Sequence, residues 1–417
     1  MNIVVGVIVG FLILMLLVII HELGHFLAAR KNGVVVEEFG IGFPPRAIAW
    51  VKNPEYIKWK ETKKGNRPKK WLRLPRSEWG KPQKTLIFSI NWLPIGGFCS
   101  MKGESDSDTR PRSFGSASLW AKTKILFAGV AMNWLAAFII LTVLSWTGMP
   151  DFMDNQFAMP GDTVLTPATI TIKDIIADSP AASANLEVGD QLKSASFDDE
   201  AVIFYTASDV ISYNDHHVGQ DVTYIVYRPS TNEEFSVPVK LNSADEPYLL
   251  GITMNQEDRA LYHSTWSAPI VAAVNTVQLT GETYRGLWNM LQSLCSGIAK
   301  QFSPDDHIRA EGQSELKEAG DSVSGPVGII GILFPNSVES GPTTLAFLAA
   351  IISISLACMN VLPIPALDGG RFCLIAFYRL RGKKLKKEIE EKLVSRTFIL
   401  LLIIIAIVTV IDIMRFF

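Results

Sequence analysis

The residues best suited to chemistry stand near the amino terminus, in the run His21-Glu22-Leu23-Gly24-His25. In a helix, positions four apart share a face, so His21 and His25 can reach one ion. Imidazole is a good zinc ligand, and Glu22 projects from the adjacent face toward a water on that ion. Zinc brings the pKa of such a water to about 7, and Glu22 is then the base that takes its proton. Catalytic zinc normally has three protein ligands and one open position. A third candidate is Asp368, far downstream in Asn360-Val361-Leu362-Pro363-Ile364-Pro365-Ala366-Leu367-Asp368-Gly369-Gly370-Arg371. Pro363 and Pro365 interrupt helical hydrogen bonding there, and Gly369-Gly370 is expected to free the backbone. The bland alternatives are two ordinary histidines at a helix end and an aspartate that caps a helix at an interface. Against them, the pair closes an uncharged run in which an unpaired Glu22 is costly. The other histidines, His216, His217, His263 and His307, fall in the outer region of the chain, away from any such run.

The elements that must position these residues are membrane spans. The chain has 417 residues, 48% of them hydrophobic, with a mean hydropathy of +0.23 and a net charge of −2. Four stretches are apolar enough to span: Ile3–Ile20, Ile125–Met149, Thr343–Leu367 and Thr397–Ile411. A span needs about 20 residues, so the first must continue through His21 toward Ala29, which carries the histidine pair to membrane depth. A cleaved signal peptide is a poor alternative, because no basic segment precedes Ile3 and no small-residue cleavage site follows. The four cysteines, Cys99, Cys295, Cys358 and Cys373, form no C-x-x-C pair and read as small apolar residues.

Charge fixes the orientation. Between Arg30 and Lys124 there are 20 Lys and Arg against 8 Asp and Glu; between Asp151 and Pro342, 9 against 27; between Arg379 and Arg396, 8 against 3. The two basic segments are therefore expected in the cytoplasm, with the acidic region and both termini outside it. The acidic region has no basic-aromatic patch, which argues against nucleic acid as a partner.

Four regions follow. Residues 1–150 form an amino-terminal membrane core with the histidine pair and a cytoplasmic loop. Residues 160–256 form a compact mixed domain with alternating strands at Ile170–Ile172 and Val222–Tyr227. Residues 257–342 are an amphipathic and linker region, with helices expected in Tyr262–Ala299 and a flexible polar linker over Ser303–Ser324. Residues 343–417 form the carboxy-terminal core. In the loop, Ile87–Phe98 has strand-like composition with turn residues, and the basic segment Val51–Lys84, with Trp59, Trp71 and Trp79, suits the surface of anionic lipid.

The chain resembles the site-2 proteases, in particular the bacterial enzymes of regulated intramembrane proteolysis. The resemblance rests on HELGHF at His21–Phe26, on NVLPIPALDGGR at Asn360–Arg371, and on their order. Weaker likenesses are Gly129-Val130-Ala131-Met132-Asn133 and Ser324-Gly325-Pro326-Val327-Gly328. It implies His21, His25 and Asp368 as ligands of Zn2+, Glu22 as catalytic base, and Asn133 and Asn360 as substrate-positioning residues. For Asn133, bonding between helices is an equally good reading of the residue itself. The resemblance further implies a loop that re-enters the membrane as a β-hairpin and pairs with an unwound substrate. Asp178–Asp190 resembles the core of a PDZ domain, which could take a peptide ligand or act as a filter over the active site. The expected architecture is an α-helical integral membrane protein with four transmembrane helices, a membrane-associated β-hairpin and an inserted PDZ-like α+β domain. The expected reaction is zinc-dependent hydrolysis of peptide bonds within single-span membrane proteins, such as anti-sigma factors or remnant signal peptides. A non-proteolytic membrane scaffold that uses the same PDZ-like domain is the rival, and a metal transporter is disfavoured by the scarcity of polar residues along the spans.

Overall fold

The computed structural model describes residues 2–63, 66–79, 81, 85–153, 155–198, 200–256, 259–321 and 325–416. In chain order, α1 (Asn2–Lys31) leads into β1 (Val36–Lys52), α2 (Pro54–Thr62), β2 (Trp71–Arg73) and β3 (Ile87–Met101). Next come α3 (Leu119–Thr147), β4 (Met149–Pro150), β5 (Val164–Thr166), β6 (Ile170–Ile175), α4 (Pro180–Ser183), β7 (Gln191–Phe197) and β8 (Glu200–Ile203). Then follow α5 (Ala207–His216), β9 (Asp221–Arg228), β10 (Glu233–Lys240), β11 (Ile252–Gln256), β12 (Leu261–His263), α6 (Ala268–Gln301) and α7 (Asp306–Asp321). The chain ends with α8 (Pro326–Gly328), a π turn (Ile329–Leu333), α9 (Phe334–Glu339), α10 (Pro342–Val361), α11 (Asp368–Leu380) and α12 (Lys387–Phe416).

Two compact units result: Met1–Ile140 with Thr276–Phe417, and Leu141–Asn275. Among the described residues, four helices are long and apolar enough to cross a membrane: Ile3–Lys31, Leu119–Thr147, Pro342–Val361 and Lys387–Met414. The first and last expose large side chains around much of their length, among them Ile3, Leu12, Leu16, Phe398, Ile403 and Ile407. That much apolar surface is unstable in water and at home in lipid, where a helix also satisfies its own backbone.

In the first unit, β1 and β3 each fold back on themselves and interleave. Residues 36–41 pair with 97–101 on one side and with 87–90 on the other, while 46–51 pair with 87–91 and β2 closes the far edge. Glu38 and Arg46 join two limbs of β1 by a bidentate ion pair, and Arg46 also donates to the Trp79 carbonyl. Phe43, Ile90, Trp92 and Leu93 stand exposed at the tips. The inner face packs through Val36, Phe39, Cys99 and Met101 onto Phe26 and Ala29 of α1, Ile125 and Leu126 of α3, and Ile375 of α11. At one end of this core lies a fully buried ion pair between Lys122 and Asp106. Asp106 also accepts from Leu385 N at 3.0 Å and from Arg379 at 3.3 Å, and Lys122 donates to Gly115 O at 3.0 Å. Removing one partner strands a buried charge. Asp106→Ala is therefore expected to cost about 3–5 kcal/mol, read as the shift in a denaturant titration of the micellar protein. The Asp106→Ala, Lys122→Met pair should recover part of it, and a single-variant loss below about 1 kcal/mol would refute this account.

The stretch expected to be a flexible linker is largely helix α7; Ser324 lies outside the described residues. Its polarity misled because glycines and ion pairs, more than a hydrophobic stripe, join it to α6: Gly297 and Gly312 let the two backbones approach, and Leu316 lies over Gly297. Lys300 on α6 binds Glu315 at 2.8 Å and Glu311 at 3.2 Å, and Ser296 binds Glu315 at 2.5 Å. The helices expected in Tyr262–Ala299 form one helix, α6, preceded by β12.

The second unit holds a sheet ordered β10-β9-β7-β6-β11, with β8 on β7, and a smaller sheet ordered β4-β12-β5. Ile170, Ile172, Leu192, Phe204, Val210, Tyr224 and Val226 fill the core. Ser179 caps α4 and Thr206 with Asp209 forms a capping box on α5.

Candidate metal centre

Helix α1 runs without a break from Asn2 through His25, as an apolar run lacking proline should. Gly24 lets it approach α3: a Cβ there would strike the Ala128 carbonyl and come within 2.8 Å of Met132 Cγ. One turn apart on the same face, His21 and His25 are buried, their rings edge to face at 4.8 Å.

Asp368 arrives by a different route. α10 ends at Val361, Leu362 turns extended, and Pro363 and Pro365 keep Leu362–Leu367 out of a helix. The chain restarts as α11, with Asp368 in its first turn. Gly369 and Gly370 act by close approach and not, as the sequence suggested, by freeing the backbone. A Cβ on Gly369 would strike the Val361 carbonyl, and one on Gly370 the Ile364 carbonyl. The two glycines let α11 fold tightly against the broken segment and bring Asp368 to the histidines.

Three donor atoms converge. His21 Nε2 lies 3.1 Å from Asp368 Oδ2, His25 Nε2 lies 3.2 Å from that oxygen, and the two Nε2 atoms are 3.1 Å apart. Ligands about 2.0–2.1 Å from a tetrahedral zinc are about 3.3 Å from one another, so the triangle has the size and donor chemistry of a zinc site. Gly129 backs it. A Cβ there would lie 2.6 Å from both Nε2 atoms, which leaves the space a metal needs. His25 Nδ1 donates to the Ile125 carbonyl at 2.8 Å, so the lone pair of that ring is on Nε2, facing the triangle. Glu22 falls within the same cluster, where candidate ligand atoms of His21, Glu22 and His25 lie within 4.8 Å of one another. Asp368 Oδ2 lies within 3.2 Å of both Nε2 atoms, and Glu22 stands outside that triangle.

Glu22, His25, Asp368, Arg371, Glu104 and the strand limb 98–101 line a pocket of about 400 Å³. Burial, with the carboxylates of Glu22 and Glu104 adding to it, pushes the Cys99 thiol upward; it stays protonated and serves as wall. Limb 97–101 pairs only with 36–41 among the described registers; no strand covers its other edge there, where the Met101 N–H donates to Glu104 Oε1 at 2.8 Å. Asn133 is fully buried, with its amide nitrogen 3.4 Å from His21 Nδ1. Asn360 donates instead to Leu356 O of its own helix at 2.9 Å. Two contributors escaped the sequence reading. Ile125 acts through its carbonyl, which leaves no side-chain signal. Arg371, which donates to Glu104 O at 3.1 Å and meets Glu390 at 3.3 Å, was signalled only by standing one turn after Asp368.

The sequence profile of peptidase family M50 matches residues 9–58 and 76–405. Similar proteins include one named as a candidate zinc metalloprotease in Clostridium acetobutylicum, 26% identical over 98% of this chain and 97% of its own. The regulator of sigma-W protease RasP of Bacillus subtilis is 25% identical over 99% of both chains. The zinc metalloprotease RasP of Bacillus licheniformis is 25% identical over 96% of this chain and 97% of its own.

Proposed function

Because the chain belongs to peptidase family M50, and is a membrane zinc metalloprotease of the site-2 type, we propose that it cuts single-span proteins within their transmembrane segments, with His21, His25 and Asp368 as zinc ligands and Glu22 as catalytic base. The observation that carries this reading is the convergence of the buried His21 and His25 on the half-buried Asp368, with Glu22 lining the same pocket as His25 and Asp368.

Zinc, when bound, supplies Lewis-acid polarisation of the scissile carbonyl and acidifies water. Glu22 takes a proton from the attacking water and passes it to the leaving amine. A helix hides its peptide bonds, so the substrate must be extended first. The edge of limb 97–101 that no strand covers, along the pocket wall, is suited to receive it by strand addition once Glu104 gives up the Met101 N–H. Asn360 is proposed to position the substrate. The substrate class is a membrane protein already shortened outside, an anti-sigma factor or a remnant signal peptide; the name of the Bacillus subtilis relative supports the former.

The two basic segments support a topology with loop 30–124 in the cytoplasm and both termini outside a bacterial plasma membrane. From Ile3, His21 then lies about 27 Å along α1, near the inner edge of a hydrocarbon core of about 30 Å. Residues 160–256 are proposed as an extracytoplasmic PDZ-like domain, supported by the sheet order and by the capped helix α4 at the expected motif. In the segment before β3, Lys63 and Arg67 stack on Trp59 and Arg76 on Trp79, an arrangement suited to anionic lipid.

The test is cleavage of a tagged, outwardly shortened single-span substrate in detergent, before chelation, after it, and after zinc is restored. Activity should fall by about 100-fold or more on metal removal and return with zinc. Undiminished activity in metal-free protein would overturn the reading, and bound zinc without cleavage of any such substrate would favour the scaffold.

A further inference from the structure

We infer that Asn133 is a positioning residue for the metal ligand His21, fixing the tautomer that leaves Nε2 to the metal. The inference rests on the zinc reading above and differs from the expectation that Asn133 meets substrate. Ile125, Gly129 and Asn133 stand four residues apart on α3, on one helical face. All three meet the histidines of α1: Ile125 through its carbonyl at His25 Nδ1, Gly129 through the space it leaves at both Nε2 atoms, and Asn133 at His21 Nδ1. The two imidazoles are thus held at the same ring atom by the same helix. For His25 the partner is an acceptor, so Nδ1 carries the proton.

For His21 the partner has two ends. The amide nitrogen of Asn133 faces Nδ1 at 3.4 Å, and its Oδ1, also buried, has no hydrogen-bond partner. With Nδ2 donating to Nδ1, the ring proton sits on Nε2, where Asp368 Oδ2 at 3.1 Å can accept it. A metal on Nε2 forces that proton to Nδ1, and a donor would then face a donor. Rotating the amide by half a turn presents Oδ1 to Nδ1–H and gives the orphaned acceptor its bond. The main chain is pinned for this, because Ser353 on α10 donates to the Asn133 carbonyl at 2.8 Å. Metal binding therefore selects Oδ1, and Oδ1 in turn favours the metal-ready ring.

The experiment uses the full chain in detergent, native and as Asn133→Leu and Asn133→Asp. Zinc affinity is measured by chelator competition, the visible spectrum by cobalt substitution, and cleavage at saturating zinc. Asn133→Leu should weaken zinc by about 10–100-fold and alter the cobalt bands. Its KM should be native, and its kcat should largely return when zinc saturates. Asn133→Asp keeps an acceptor and should hold zinc within about 3-fold of native. Native zinc affinity in Asn133→Leu with a lost kcat would assign Asn133 to the reacting groups and overturn the inference. So would a folded Asn133→Asp protein that binds zinc as weakly as the leucine variant, and this outcome decides the matter if Asn133→Leu does not fold. A native chain that binds no zinc would instead refute the metal reading itself, and the inference with it.

Discussion

Glu22→Gln should leave zinc bound and abolish most peptide cleavage, with kcat lower by about 10²–10⁴-fold and KM little changed. The substitution keeps the shape and one acceptor oxygen but removes the negative charge and the basicity. Asp368 Oδ2, not Glu22, completes the triangle with the two Nε2 atoms at 3.1 and 3.2 Å, so the metal loses no proposed ligand. Glu22 lies in the pocket wall beside limb 97–101; a Cβ on Gly97 would be 3.6 Å from its Cγ. A group there can reach both an attacking water and a departing amine. The pair of measurements is zinc per chain and single-turnover cleavage. Zinc lost along with activity would make Glu22 a ligand, and activity retained would move the base elsewhere.

How much of this was legible in sequence depends on the kind of signal. Local spacing carried the His21–His25 pair, since helix geometry alone puts positions four apart together. The apolar runs match the four helices long and apolar enough to cross a membrane, with shifted ends: α1 continues to Lys31 and α12 starts at Lys387, among charged residues, whereas α10 stops at Val361, short of the expected Leu367, because Pro363 and Pro365 follow. Asp368 was readable as a polar residue after a proline-broken span. Its meeting with the histidines 347 residues away, and its arrival in the first turn of a new helix, depend on packing. The glycines show the same limit. Gly369 and Gly370 signal in sequence that the backbone is special but not that two carbonyls press against them. The interleaving of β1 with β3 was not readable, because strand composition does not specify which limb lies between which. Helix α7 was missed because it meets α6 through Lys300 and glutamates and through Gly297 and Gly312, which in sequence look like solvated linker.

Gly129 provides the sharpest test of the proposed centre, because its side chain is absent beside both Nε2 atoms. Gly129→Ala should reduce bound zinc to below about 0.1 per chain and cleavage with it, since zinc-to-nitrogen distances of about 2.0–2.1 Å leave no room for a methyl group that would lie 2.6 Å from each Nε2 atom. Intrinsic propensity works the other way: alanine is favoured over glycine inside a helix by about 1 kcal/mol. Helix α3 should therefore form at least as well, and a loss of zinc cannot be ascribed to its unravelling. Gly286→Ala on α6 is the matched control, because a Cβ there meets nothing within 4 Å and neither zinc nor activity should change. Metal analysis and circular dichroism of the two variants separate the cases. A Gly129→Ala protein that keeps a full complement of zinc would show that α3 does not wall the site, and the triangle would have to open by a movement of α3 away from α1.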